Sequence, residues 1–307
     1  MNRSSLRPSL TKRVRRTWEL YLFLLPAFVF YILFKFWPIY GLKMAFLDYS
    51  PFLGFDASPF VGLENFRRFF TSPHWRMVLG NTLRINLTSL CIGFPAPILL
   101  ALLLQQVQCT PFKKTTQMIT YAPYFISSVV LVGMMYTIFS PSSGVVNAII
   151  RNLGGEPIFF MGRTDTFLAM FVGSEVWQNS GWNAVVYLAA LAAVSPELHE
   201  SAMIDGANRL QRIRYIDLPS IMPTIITMFL LQVGRLFTVG FDKIYLMQNS
   251  LNQTVSEVLS TFSYKRGLLE GDFSYATAVG LMESGVNFML LLFFNITAKR
   301  TTGTSLW

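Results

Sequence analysis

Two histidines and two cysteines are the whole imidazole and thiol inventory of this 307-residue chain, and neither type is clustered. A hydrolytic metal site needs several such ligands at fixed spacing. His199-Glu200 opens like the zinc-binding H-E-x-x-H helix, but the fifth position is Met203, so the second histidine is missing. There is no G-x-x-x-x-G-K-[ST] phosphate loop, no C-x-x-C pair and no G-x-S-x-G elbow. An intramembrane enzyme therefore has no nominated catalytic group. Cys91 and Cys109 read as residues of one helix; at about 1.5 Å per residue they stand roughly 27 Å apart and cannot bridge.

Chemistry of another kind is available inside the apolar runs. Arg84, Glu175, Arg235 and Glu283 fall within them, and ionisable groups in a membrane are costly enough to suggest function. Two readings stay open: the four pair with one another between helices, or a guanidinium grips a substrate carboxylate bidentately. Trp177, Asn179, Trp182 and Asn183, with Gln178 and Tyr187, form a second cluster. Aromatic faces stack on the C–H face of a sugar, and amides bond its hydroxyls. The competing reading is an interfacial tryptophan belt with polar groups in helix packing.

The elements that hold these residues follow from composition. Hydrophobic residues make up 52%, aromatic 15% and charged residues only 13%, with mean hydropathy +0.45. A soluble chain carries about twice that charged fraction. The class is all-α polytopic membrane protein. A span needs about 20 mostly apolar residues, and six runs qualify: 19–42, 80–106, 115–140, 166–192, 219–242 and 273–298. Pro95 and Pro97 predict a kink in the second. The first is a retained anchor, since no small-x-small cleavage site follows it.

Charge placement orients the bundle. Arg3, Arg7, Lys12, Arg13, Arg15 and Arg16 form a basic tail within 1–18. With six spans, one side collects 13 Lys and Arg on the shorter total length of chain, against nine on the other. The denser side is cytoplasmic, so both termini, including 299–307, are expected there. The net charge of +9 thus reads as orientation against anionic membrane lipid. No aromatic-basic platform for nucleic acid is present. No internal repeat is visible, which weakens the main alternative class, an ion-coupled secondary transporter of a polar solute.

The cytoplasmic loop 195–219 is the most patterned stretch. Ser195 is placed as N-cap, Pro196 as the first helical residue and Glu197 in the first turn. Gly206 permits a sharp turn before a second amphipathic segment. Leu198, Ala202, Ile204, Leu210, Ile213 and Ile216 offer an apolar face to a partner or to the lipid headgroups.

Glu200-Ser201-Ala202, three residues, Gly206, nine residues, Ile216, one residue, Leu218-Pro219 resembles the EAA signature of bacterial ABC importer permeases. Every spacing matches, and the one departure is Ser201 for the first Ala. Asp205-Gly206-Ala207 resembles the carbohydrate-type subgroup. Tyr21–Pro26, Val61–Phe66 and Tyr275–Leu281 resemble oligosaccharide permeases as well.

The resemblance implies the six-helix type I importer fold of maltose-type permeases, in the bacterial cytoplasmic (inner) membrane. It implies a second homologous permease subunit, two ATPase subunits and an extracytoplasmic solute-binding protein. It implies import of oligosaccharides, some of them uronate-containing, by alternating access. No cofactor is expected on this chain; ATP and magnesium belong to the partner ATPase. Glu200, Ser201, Ala202, Asp205, Gly206 and Ala207 are the residues that the resemblance assigns to ATPase coupling.

Overall fold

The structure is a computed structural model and describes residues 17–238 and 240–306. The six basic residues between positions 3 and 16 lie outside the described residues. The described chain is helical, with one isolated bridge between Leu47 and Phe60.

Among the described residues, four helices are long and apolar enough to cross a membrane: Tyr21–Phe46, Trp75–Gln105, Arg209–Val233 and Phe273–Thr302. The first comprises α1 (Trp18–Tyr31) continued by π and 3-10 turns through Phe46. The second comprises α2 (Trp75–Gly93) and α3 (Pro95–Gln105), interrupted at Phe94 where Pro95 and Pro97 were expected to act. Pro95 has no N–H to continue the ladder, so the interruption sits just before it.

Three expectations need correction. The third run, 115–140, is not a straight span. Thr110–Phe125 and Ser128–Ile138 are bent by 101° and make a fifth crossing only if taken together. The break has a local cause: Pro123 tightens the chain into a 3-10 turn, Ile126 is extended, and Ser127 caps the next helix through Val130 N–H. It also has a distant one, since the Gln178 amide donates to the Ile126 carbonyl at 2.7 Å. We label these helices α4 (Thr110–Tyr121) and α5 (Ser128–Ile138). Second, the fifth run stops early. Its helix ends at Val233, and residues 234–238 turn before α10 (Phe241–Met247). Gly234 and Gly240 stand at either end of that break. Third, Cys91 is in α2 whereas Cys109 caps α4, so they do not share a helix; both are free.

The fourth run is the bundle's centre. α6 (Thr164–Ala192) packs against α2, α3, α4 and α9 (Leu218–Val233). The expected fourth span is 29 residues long but is not among the candidate spans, because Glu175, Gln178, Asn179 and Asn183 interrupt its apolar run. Its contact with α4 is very close: a Cβ on Gly181 would stand 1.9 Å from the Thr120 carbonyl oxygen. Small residues permit such backbone approach between membrane helices.

Two apolar clusters fix α6 at both ends. Phe167, Phe171 and Val172 pack with Ile85, Leu131, Met135 and Ile244. Ala184, Tyr187 and Leu191 pack with Ile98, Leu102 and Ile221. Between α6 and α9 lie α7 (Pro196–Ile204) and α8 (Arg209–Arg212), and α11 (Phe273–Thr302) closes the chain. Residues 21–40 are exposed throughout; the following turn to Phe46 rests on α11.

Candidate functional site

A cavity of about 520 Å³ opens between α2, α3, α6 and the end of α9, within the range of small-molecule sites. Its α6 wall carries Glu175, Asn179 and Asn183, spaced four residues apart and so on one helical face. Asn86 and Ser89 face them from α2, Gln232 from the end of α9, and Arg235 and Thr238 from the turn after it. Counted from Thr164 at about 1.5 Å per residue, Glu175 lies roughly 17 Å along α6 and Asn183 roughly 29 Å, so the cavity occupies the helix's middle.

The cavity gathers five of the ten residues of the two clusters, Tyr187 among them, and leaves five outside, Gln178 among them. Glu175, Asn179, Asn183 and Arg235 also line it; Arg84, Trp177, Trp182 and Glu283 do not. Arg84 and Trp177 are exposed on outward faces of their helices. Trp182 stacks on Tyr124, ring centroids 4.8 Å apart, and meets Phe125 edge-on, so it packs against the bend between α4 and α5. Glu283 is half-buried in α11. Arg235 lies in the turn beyond α9 rather than within a helix.

Of the two readings left open, the pairing of these arginines with these glutamates is not seen. Among the described residues, no ion pair within 4.0 Å involves Arg84, Arg235, Glu175 or Glu283. Ser89 Oγ donates to Glu175 Oε2 at 3.4 Å. The cation acting on Glu175 is Lys243, a residue that sequence reasoning assigned to an outer loop. Lys243 is 7% exposed, its Nζ has no hydrogen-bond partner, and it stands 5.3 Å from the Phe171 ring centroid. It lies in α10, beyond the candidate spans. Burial pushes its ammonium down to about 8 while Glu175 pulls it up.

Arg235 is presented by a braced turn. Asn287 of α11 accepts from Phe237 N–H at 2.8 Å and donates to Thr238 Oγ1 at 3.0 Å. A buried amide satisfied on both sides holds a loop firmly. Its only sequence signal was a polar residue in an apolar run.

The loop at 195–219 folds as two short helices. Ser195 is the N-cap of α7 without a side-chain bond, and Pro196 is its first residue. The helix ends in a Schellman pattern: Ala207 N–H to Ala202 O at 2.8 Å and Gly206 N–H to Met203 O at 3.1 Å. Gly206 adopts φ +79°, the left-handed conformation that glycine accommodates without steric cost. α8 opens with an Asn208–Gln211 capping box, 2.7 and 2.9 Å; this Asn-x-x-Gln signal was readable in the sequence. Glu200, Ser201, Asp205 and Gly206 are exposed, Ala202 and Ala207 partly so. Leu198, Met203 and Leu210 are exposed too, and Ile204 is 87% exposed. Apolar side chains grouped this way on a solvent-side loop mark an interaction surface.

Residues 98–303 match the family described as "Binding-protein-dependent transport system inner membrane component". The chain is 41% identical over 287 residues to Protein LplB of Bacillus subtilis, covering 94% of this chain and 90% of that one. It is 40% identical over 281 residues to the polygalacturonan/rhamnogalacturonan transport system permease protein YteP of the same organism, covering 92% and 88%. Its fold is similar to a chain of the bacterial alginate ABC transporter in complex with alginate pentasaccharide-bound periplasmic protein. That match has TM-score 0.89 and 36% identity and covers 97% of this chain and 99% of that one. A related structure, of the transporter importing the acidic polysaccharide alginate, matches at TM-score 0.88. The chain therefore belongs to the carbohydrate-type permeases of binding-protein-dependent ABC transporters, as the multi-pass inner-membrane subunit of an oligosaccharide importer and not itself an ATPase.

Proposed function

We propose that this chain passes carboxylate-bearing oligosaccharides through the α2–α3–α6–α9 cavity by alternating access. The observation that carries the reading is the cavity wall. Amides and hydroxyls from Asn86, Ser89, Asn179 and Asn183 suit sugar hydroxyls, and Arg235 has no protein carboxylate within 4.0 Å among the described residues. A guanidinium free of a counter-charge is available to a uronate. YteP's polygalacturonan and the alginate of the structural relatives support the acidic class.

In this proposal α6 counts as a span and the bent α4–α5 pair as another, giving six, with both termini cytoplasmic. Glu200, Ser201, Ala202, Asp205, Gly206 and Ala207 meet one of two partner ATPases, where ATP and magnesium are bound. A second homologous permease completes the pathway, and an extracytoplasmic binding protein delivers the sugar. Of the remaining pathway residues, Trp182 acts by bracing the bend, and Arg84, Trp177 and Glu283 lie outside the substrate's path.

The test is uptake into proteoliposomes holding the whole complex, purified through a tag on this chain, with the binding protein outside. Trigalacturonate accumulation requires ATP inside and stops with a non-hydrolysable analogue. Accumulation driven by a proton or sodium gradient without ATP identifies an ion-coupled carrier and refutes the proposal.

A further inference from the structure

The coupling loop contains a buried charge that the transport reading has not used. Asp217, the residue between Ile216 and Leu218-Pro219, is 0% exposed. Its Oδ2 accepts from Gln106 Nε2 at 3.1 Å. Its Oδ1 lies 3.2 Å from His199 Nε2, a polar contact that is not aligned as a hydrogen bond. Arg212 adds a positive field on the same carboxylate, and its Nε is buried without a partner. Three segments distant in sequence thus meet at one carboxyl group: the end of α3, the middle of α7 and the root of α9.

Burying a carboxylate is expensive unless donors surround it, and the bonds it then makes are directional and strong. Apolar packing at the same place lets helices slide; a buried carboxylate bonded to Gln106 and in close polar contact with the His199 ring ties them at fixed points. The position matters because both tied helices are cavity walls. Pro97 of α3 and Met228 and Gln232 of α9 line the cavity. They stand roughly 13 to 23 Å along their helices from Gln106 and Asp217, counted at about 1.5 Å per residue. The joint is also where helical winding changes, since Ile213–Asp217 forms a π turn ahead of α9. Such turns are frequent at functional sites.

We propose that Asp217 is a positioning residue that transmits movement of α7 into α3 and α9 together, with His199 as its attachment on the coupling helix and Gln106 as its attachment on the cavity wall. This rests on the proposed seating of α7 on an ATPase. A push on α7 reaches the substrate cavity through one buried carboxylate. Without it, ATP hydrolysis proceeds while the cavity walls respond poorly.

The readout is sugar taken up per ATP hydrolysed by the whole complex in proteoliposomes, with trigalacturonate as probe. His199→Leu and Asp217→Leu each lower this ratio at least tenfold, and the double variant loses no more than the worse single one. His199→Gln keeps an amide donor at the imidazole position and retains at least half of the wild-type ratio. Gln106→Leu, a variant at the other attachment that leaves the carboxylate in place, lowers the ratio by the same route even if Asp217→Leu does not assemble. Uptake and hydrolysis falling in parallel, or an unchanged ratio in His199→Leu and Gln106→Leu, overturns the proposal. If no ATPase accompanies the wild-type chain, the coupling assignment falls and takes this inference with it. If the ATPases do accompany it and the ratio is insensitive, only the joint is refuted.

Discussion

Substitution of Gly206 separates backbone conformation from surface identity in the proposed coupling loop. Gly206 sits at φ +79°, and a Cβ added there meets nothing within 4 Å. Crowding within the chain is therefore nil, and the cost of a side chain is conformational. For an ordinary L-residue that cost is about 1–2 kcal/mol. Two hydrogen bonds depend on the conformation, Ala207 N–H to Ala202 O and Gly206 N–H to Met203 O. At about 1.4 kcal/mol per factor of ten, Gly206→Ala lowers the equilibrium for the closed turn roughly 5- to 30-fold. Gly206→Val costs more, since a β-branched residue is a clear outlier there. Gly206→Asn costs least, because Asn enters this region readily. The assay is uptake per ATP hydrolysed by the reconstituted complex, with ATPase retention measured alongside. The predicted order is Gly, Asn, Ala, Val. Ala and Val behaving like wild type, or Asn as impaired as Val, refutes the conformational argument.

Gly181→Ala drives a Cβ to 1.9 Å from the Thr120 carbonyl; overpacking of this kind costs about 1–3 kcal/mol, read as a lower Tm of the detergent-solubilised complex. Gly173→Ala in the same helix, with nothing within 4 Å of its added Cβ, gives an equal or higher Tm because Ala favours helix by about 0.5–1 kcal/mol. Asn287→Leu removes the partners of Phe237 N–H and Thr238 Oγ1 and lowers stability by about 1–3 kcal/mol, with acidic-sugar uptake lost through displacement of Arg235. Trp177→Leu, outside the cavity, changes uptake far less than Asn179→Leu in its wall, measured as initial rates in the same proteoliposomes.

The sequence made the long helices legible to different degrees. α6 was read almost to the residue, 166–192 against Thr164–Ala192, because its apolar run ends at clear Arg-Thr-Asp and Ser-Pro signals. The third run misled because its bend depends partly on Gln178, 52 residues beyond Ile126, although Pro123 and Ser127 were visible local signs. The fifth run was extended past Gly234 because Leu236 and Phe237 continued its hydrophobicity, which placed Arg235 inside a helix. The fold of the 195–219 loop was legible because cap, turn and spacing are local features. The cavity was only half so: period four along α6 joins Glu175, Asn179 and Asn183, but nothing local tells that Trp177 and Trp182 face elsewhere. Lys243 and Asp217 were out of reach, since a charge becomes buried through partners that only tertiary packing supplies.

The central claim is that Arg235 leaves the cavity suited to a carboxylate-bearing sugar. The direct measurement is ATP-dependent uptake of trigalacturonate and of its methyl ester, equal in length and neutral, by complexes carrying wild-type chain or Arg235→Gln. The account predicts that the arginine variant assembles and loses acidic-trimer uptake selectively, with the acid-to-ester ratio falling at least tenfold. Equal loss for both trimers, or an unchanged ratio, contradicts it.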